Sequence, residues 1–104
     1  MGQISDSLLK KVHDFLEVVS RKKKLERAYL FGSQAKGTSK SWSDIDVAII
    51  SKDFLNNLYD EQLELMQVAS KIDDRIEPRI FLPEDFNRNN PLVAEIETHG
   101  IRLK

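Results

Sequence analysis

The chain has 104 residues, a formal net charge of -1 from 16 Lys plus Arg against 17 Asp plus Glu, and no cysteine. That length suits one domain with a modest core, and the near-neutral charge lacks the basic footprint of a duplex-DNA binder. The absence of thiols excludes disulfide scaffolds, thiolate zinc sites and cysteine nucleophiles, and it suits a cytoplasmic protein. With 40% hydrophobic and 32% charged residues the chain is expected to fold; it shows no signal-peptide pattern and no apolar run near the roughly 20 residues that span a bilayer.

Residues 4–20 read as a helix, with Ile4, Leu8, Val12, Phe15, Leu16 and Val19 at helical spacing. Arg21-Lys22-Lys23-Lys24 is expected to close it as a solvated cationic terminus, with a phosphate- or RNA-contacting patch as the sharper alternative. Residues 28–31 form a short buried strand stopped by Gly32, and residues 32–44 are Gly/Ser/Thr-rich loop with room for one helical turn. The β-branched run 45–50 is a second strand. Residues 54–72 look helical, with Leu58, Leu65, Met66, Ala69 and Ile72 on one face and Tyr59 at the core margin. Asp73-Asp74 marks a turn, and 75–81 is a third strand, placed at a sheet edge or irregularity by Pro78. Turns at Pro83 and Asn89-Asn90-Pro91 precede a short last helix over 91–98. Strands separated by helices predict one α/β (α+β) domain over residues 1–104, with a small sheet flanked by helices.

The chemistry is concentrated in Gly32-Ser33-Gln34-Ala35-Lys36-Gly37, followed after five residues by Ser43-Asp44-Ile45-Asp46-Val47. Asp44 and Asp46 sit two apart at a strand start, so both carboxylates share a face roughly 6.5 Å apart at Cα. Two like charges on one face of a buried strand are costly without a cation between them. Hard oxygen donors favour Mg²⁺ or Mn²⁺ for that role. Gly32 lets a ligand approach the backbone, Ser33 supplies a hydroxyl, and the following turn offers N–H groups to phosphate oxygens. Together these make a site for a metal-bound nucleoside triphosphate. A P-loop is excluded because no Gly-Lys-Ser/Thr is present, and an EF-hand because Val47-Ala48 supplies neither the third oxygen ligand nor the glycine. The bland alternative is an N-capping Ser43 or Asp44 beside a solvated turn.

The pattern Gly-Ser-x-Ala-Lys-Gly-x5-Ser-Asp-Ile-Asp-Val resembles the signature of nucleotidyltransferases related to DNA polymerase beta, and more narrowly the minimal nucleotidyltransferase (MNT) proteins of bacteria and archaea. The resemblance implies a polymerase-beta-like mixed sheet flanked by helices and Mg²⁺-dependent transfer of a nucleoside monophosphate from ATP or another NTP. It makes Gly32, Ser33, Lys36, Gly37 and Ser43 the nucleotide binders, and Asp44 and Asp46 the ligands of two metal ions. Lys36 stands where the family more often has Arg, keeping the charge without the bidentate fork. The family also carries a third carboxylate on a later strand, usually Asp; here the candidate is Glu77, expected on the face opposite Ile76 and Ile80 with Arg79 and Phe81. Glu77 would share the second metal and act as general base, its alternative being a surface residue paired with Arg75 or Arg79.

The small size leaves little surface for an acceptor, and the resemblance points to one presented by a HEPN-domain toxin. The chain would then be the antitoxin that adenylylates a toxin tyrosine, in a hetero-oligomer, with a homo-oligomer left open. The competing class is a binding module that neutralises its partner with a weak or inactive nucleotide site. Transfer to an antibiotic or RNA belongs to larger relatives with an acceptor-binding domain. Trp42 is expected to cap the core rather than stack on a base, His13 and His99 to lie on helix surfaces, and Lys52 and Arg79 to be solvated rather than to steer triphosphate.

Overall fold

A computed structural model describes residues 5–37, 43–55 and 57–104. The expectations for Ile4 and Trp42 fall outside these residues. Helix α1 (Asp6–Ser20) is capped by Ser5, whose hydroxyl accepts from the Leu8 N–H at 3.1 Å. Its apolar stripe, Leu8, Val12, Phe15, Leu16 and Val19, is buried as the periodicity predicts. Strand β1 (Arg27–Phe31) follows, then a single turn of helix α2 (Ser33–Lys36) and strand β2 (Ile45–Ile50). Helix α3 (Leu58–Ile72) leads into β3 (Ile76–Phe81), a 3-10 turn over Pro83–Asp85, helix α4 (Pro91–His99) and a two-residue strand β4 (Ile101–Arg102).

The four strands form one mixed sheet in the order β3-β2-β1-β4. β2 runs antiparallel to β1 and parallel to β3, so the α3 crossover returns the chain to the same sheet direction. One face, with Ala28, Leu30, Ile45, Val47, Ile49 and Ile76, packs under α1 and α3. The other, with Tyr29, Phe31, Ala48, Ile50 and Phe81, is covered by Phe86 and by Val93 and Ile96 of α4. Phe86 stacks on Tyr29 with centroids 5.4 Å apart, meets Phe81 edge-on at 5.3 Å, and carries the Arg27 guanidinium on its ring. β3 is the sheet edge that Pro78 demands, and the Pro78 carbonyl accepts from the Gln62 side chain of α3.

Two expectations are corrected. α3 does not turn Leu58 and Met66 inward; they are 41% and 42% exposed, and Tyr59 is 70% exposed rather than at the core margin. The inward position is taken by Glu61, 4% exposed, whose carboxylate accepts from Lys23 Nζ at 3.1 Å. The basic run lies beyond α1, whose last turn holds no basic residue. Arg21, Lys22 and Lys24 are exposed as expected of a solvated terminus, Lys22 reaching Glu64 on α3, and Lys23 departs from it, drawn inside to Glu61 and to the Asp53 carbonyl.

The turn before β3 is fixed by Asp73, which accepts from the backbone N–H, Nε and Nη2 of Arg75 and from Lys11 Nζ. The Arg75 guanidinium, with Lys11 assisting, holds the Asp73 carboxyl far below the usual carboxylate range despite its burial. Asp73→Asn is expected to cost about 1–3 kcal/mol, the loss of charge-assisted bonds at a nearly buried acceptor. A depressed carboxylate stabilises fully above its ordinary range and progressively less as pH falls through that range. Thermal melts should therefore show a gap between wild type and Asp73→Asn at neutral pH that closes on acidification.

Candidate active site

β1 ends at Phe31, and Gly32 turns the chain off the sheet with φ 75° and ψ −152°, a region essentially closed to other residues. A Cβ on Gly32 would collide with Asp46 Oδ2. The glycine therefore serves two ends: it permits the turn, and it lets the Asp46 carboxylate lie against bare backbone. α2 begins at Ser33, half-buried, and closes on Gly37, whose φ of 75° forms the left-handed cap that donates to the Ser33 carbonyl. Ser43 and the exposed Asp44 lead into β2.

Sheet register builds the rest. Asp46 lies opposite Phe31 across the β1–β2 ladder and opposite Glu77 across the β2–β3 ladder. Directly paired strand residues share a face about 5 Å apart, so Asp46 and Glu77 stand side by side, with Arg79 two residues further along the same face. This is the face Glu77 was expected to occupy. The Asp46 carboxyl is pushed above its ordinary range, first by burial, then by the charges of Glu77 and Asp44, while Arg79 acts in the opposite direction. Arg79 is exposed, as expected, yet it is electrically part of the cluster. The i+2 spacing from Glu77 was the signal for that. Arg75, one expected partner of Glu77, instead spends three donors on Asp73.

Lys36 extends from α2 to α4, where its ammonium pairs with Glu95 Oε1. Glu95 carries no motif and nothing in the sequence singles it out. His13 and His99 are exposed on their helices, and Lys52 is exposed, all as expected.

The donor set fits a divalent cation. It consists of hard carboxylate oxygens, and the central one is strained by like charge that a cation would relieve. Among the described residues no three acids or histidines converge closely enough to cage an ion unaided. An ion held here would need further oxygens, which for Mg²⁺ are commonly water and substrate phosphate.

Residues 13–104 match the family model described as polymerase beta, nucleotidyltransferase. The chain belongs to that nucleotidyltransferase family. It is similar to the protein adenylyltransferase MntA of Shewanella oneidensis, 39% identical over 80 residues that make up 77% of this chain and 54% of the relative. The chain thus spans about half the length of the curated relative it matches. Among solved structures, a toxin–antitoxin crystallised with AMP-PNP superposes with a TM-score of 0.66 at 27% identity, covering 96% of this chain and 73% of the other. A mutant of the toxin–antitoxin MntA-HpeT gives 0.63 at 30% identity, covering 92% and 71%. The mixed sheet and its helices are thus the polymerase-beta-like nucleotidyltransferase fold. No helix among the described residues is long and apolar enough to cross a membrane.

Proposed function

We propose that the chain transfers AMP from ATP to a hydroxyl of a HEPN-type toxin and acts as its antitoxin. The observation that carries this reading is the placement of Gly32, Asp46 and Glu77 side by side across three strand ends. The names of the relatives support the acceptor and the partner: one is a protein adenylyltransferase, and the solved assemblies are toxin–antitoxin pairs.

The triphosphate lies along Gly32–Gly37, where Ser33 Oγ donates to a phosphate oxygen and Lys36 offsets negative charge. Asp44, Asp46 and Glu77 would hold two Mg²⁺ ions. When bound, Mg²⁺ neutralises the phosphate oxygens and makes the α-phosphorus a better electrophile. Glu77 takes the proton of the acceptor hydroxyl. The acceptor oxygen forms its bond to the α-phosphorus as the α–β phosphoanhydride breaks, and pyrophosphate leaves. β3 is an edge strand of the sheet, and in this reading the partner supplies the wall that excludes water.

The test is transfer of label from α-labelled ATP to the HEPN partner with Mg²⁺ present. Label is expected on the partner, lost in the Asp44→Asn, Asp46→Asn double variant, and reduced about 10²- to 10⁴-fold in Glu77→Gln. Undiminished transfer by the double variant would remove these residues from the mechanism. A second reading, neutralisation by binding alone, is favoured by the engagement of Lys36 with Glu95. It predicts that the double variant still silences the toxin.

A further inference from the structure

Lys36 and Glu95 join two elements that the sequence keeps far apart. Lys36 is the last residue of α2, the turn that follows Gly32. Glu95 lies on α4, whose Val93 and Ile96 cover the sheet face that carries Phe31, the residue opposite Asp46. Both side chains are partly exposed, at 45% and 40%, so neither is committed by burial. Their pairing holds the phosphate-loop cation over α4.

We propose that Glu95 is a built-in competitor for the nucleotide's phosphates: it occupies Lys36 in the free protein and is displaced by the triphosphate on binding. This rests on the nucleotide reading of the Gly32–Gly37 loop and adds an affinity-setting residue outside it. The exchange is favourable because a triphosphate offers several negative oxygens where Glu95 offers one carboxylate. It is rapid because the lysine ammonium is a point charge on a flexible four-carbon stem. An arginine would meet Glu95 in a two-bond fork that is harder to break, so lysine at position 36 suits a contact that must be released. The Lys36 ammonium also holds the Glu95 carboxyl below its ordinary range, so Glu95 competes as an anion throughout the neutral range. On release of the triphosphate the contact to α4 re-forms, so α4 senses whether the loop is filled.

The whole chain is titrated calorimetrically with Mg·ATP as wild type, Glu95→Gln, Lys36→Met and the double variant. Glu95→Gln is expected to bind about two- to five-fold more tightly, the factor a surface ion pair commands. The gain should shrink as salt is raised and vanish in the Lys36→Met background. Unchanged or weaker binding by Glu95→Gln overturns the proposal, as does an equal gain without Lys36, which would mark a general charge effect. Melting temperatures should stay together across the set, because the pair is exposed. A parallel titration with metal-free tripolyphosphate separates the two readings. If Mg·ATP fails to bind but tripolyphosphate favours Glu95→Gln through Lys36, the nucleotide reading falls and the competition stands. If neither Mg·ATP nor tripolyphosphate favours Glu95→Gln over wild type, the competition falls.

Discussion

Asp46→Asn is expected to lower nucleotidyl transfer by about three orders of magnitude or more while raising the melting temperature of the ligand-free protein. The loss follows from removing the carboxylate at the centre of the acidic cluster, which forfeits several kcal/mol of charge stabilisation at about 1.4 kcal/mol per tenfold in rate. The gain follows from the same geometry. Burial, Glu77 and Asp44 raise the Asp46 carboxyl, so the folded state takes up its proton more readily than the unfolded chain. Its charge therefore opposes folding once pH exceeds the ordinary aspartate range, and the penalty disappears as pH falls through that range. Asparagine removes the penalty. Melts should show a rise on the order of a few degrees at neutral pH, fading on acidification. Mg²⁺ should narrow the gap by stabilising the wild type alone. Equal activity, or a lower melting temperature at every pH, would be incompatible with a repulsive cluster at this place.

Gly32→Ala is the second large effect. The backbone conformation there costs a side chain about 1–3 kcal/mol, and the added methyl runs into Asp46 Oδ2. At roughly 4–8 °C per kcal/mol the melting temperature should fall by several degrees to more than ten. Mg·ATP affinity should fall as well, because the carboxylate cannot keep its place. Gly37→Ala is the control. Its φ of 75° and ψ of 18° is an ordinary left-handed cap, which costs alanine about 1–2 kcal/mol and displaces no acid. Full affinity in Gly32→Ala would show that Asp46 does not need the bare backbone.

Sequence pattern carried the site further than it carried the surfaces. β2 is legible to its bounds because a run rich in Ile and Val, broken by Asp46 and Ala48 alone, is flanked by polar residues. Strand alternation accounts for the place of Asp46 on β2, whereas Asp44 precedes the strand and is exposed, and Gly32 follows an apolar run. The pairing of Glu77 with Asp46 is a matter of parallel register, which no local spacing encodes. α3 was read four residues too long because Phe54, which packs into the core, was counted with the helix, whereas Asn57 caps it by accepting from the Tyr59 N–H. Its inner face holds Leu65, Ala69 and Ile72 as the periodicity predicts, but not Leu58 and Met66, because Glu61 takes a core position with Lys23 answering its charge, and hydrophobic periodicity cannot see an ion pair. β4 escaped notice because two residues hold no period. Glu95 escaped because its meaning lies wholly in the helix it faces.

β2 is an inner strand, hydrogen-bonded on both margins, and Asp46 is part of it. Amides in such a strand exchange with solvent only through the rarest openings of a domain, so this acid cannot drift away from its neighbours when no cation is near. The electrostatic discomfort is frozen in rather than vented. Under the proposed reading an arriving ion would find this acid already in place, and little of its binding energy would be spent on reorganising the scaffold.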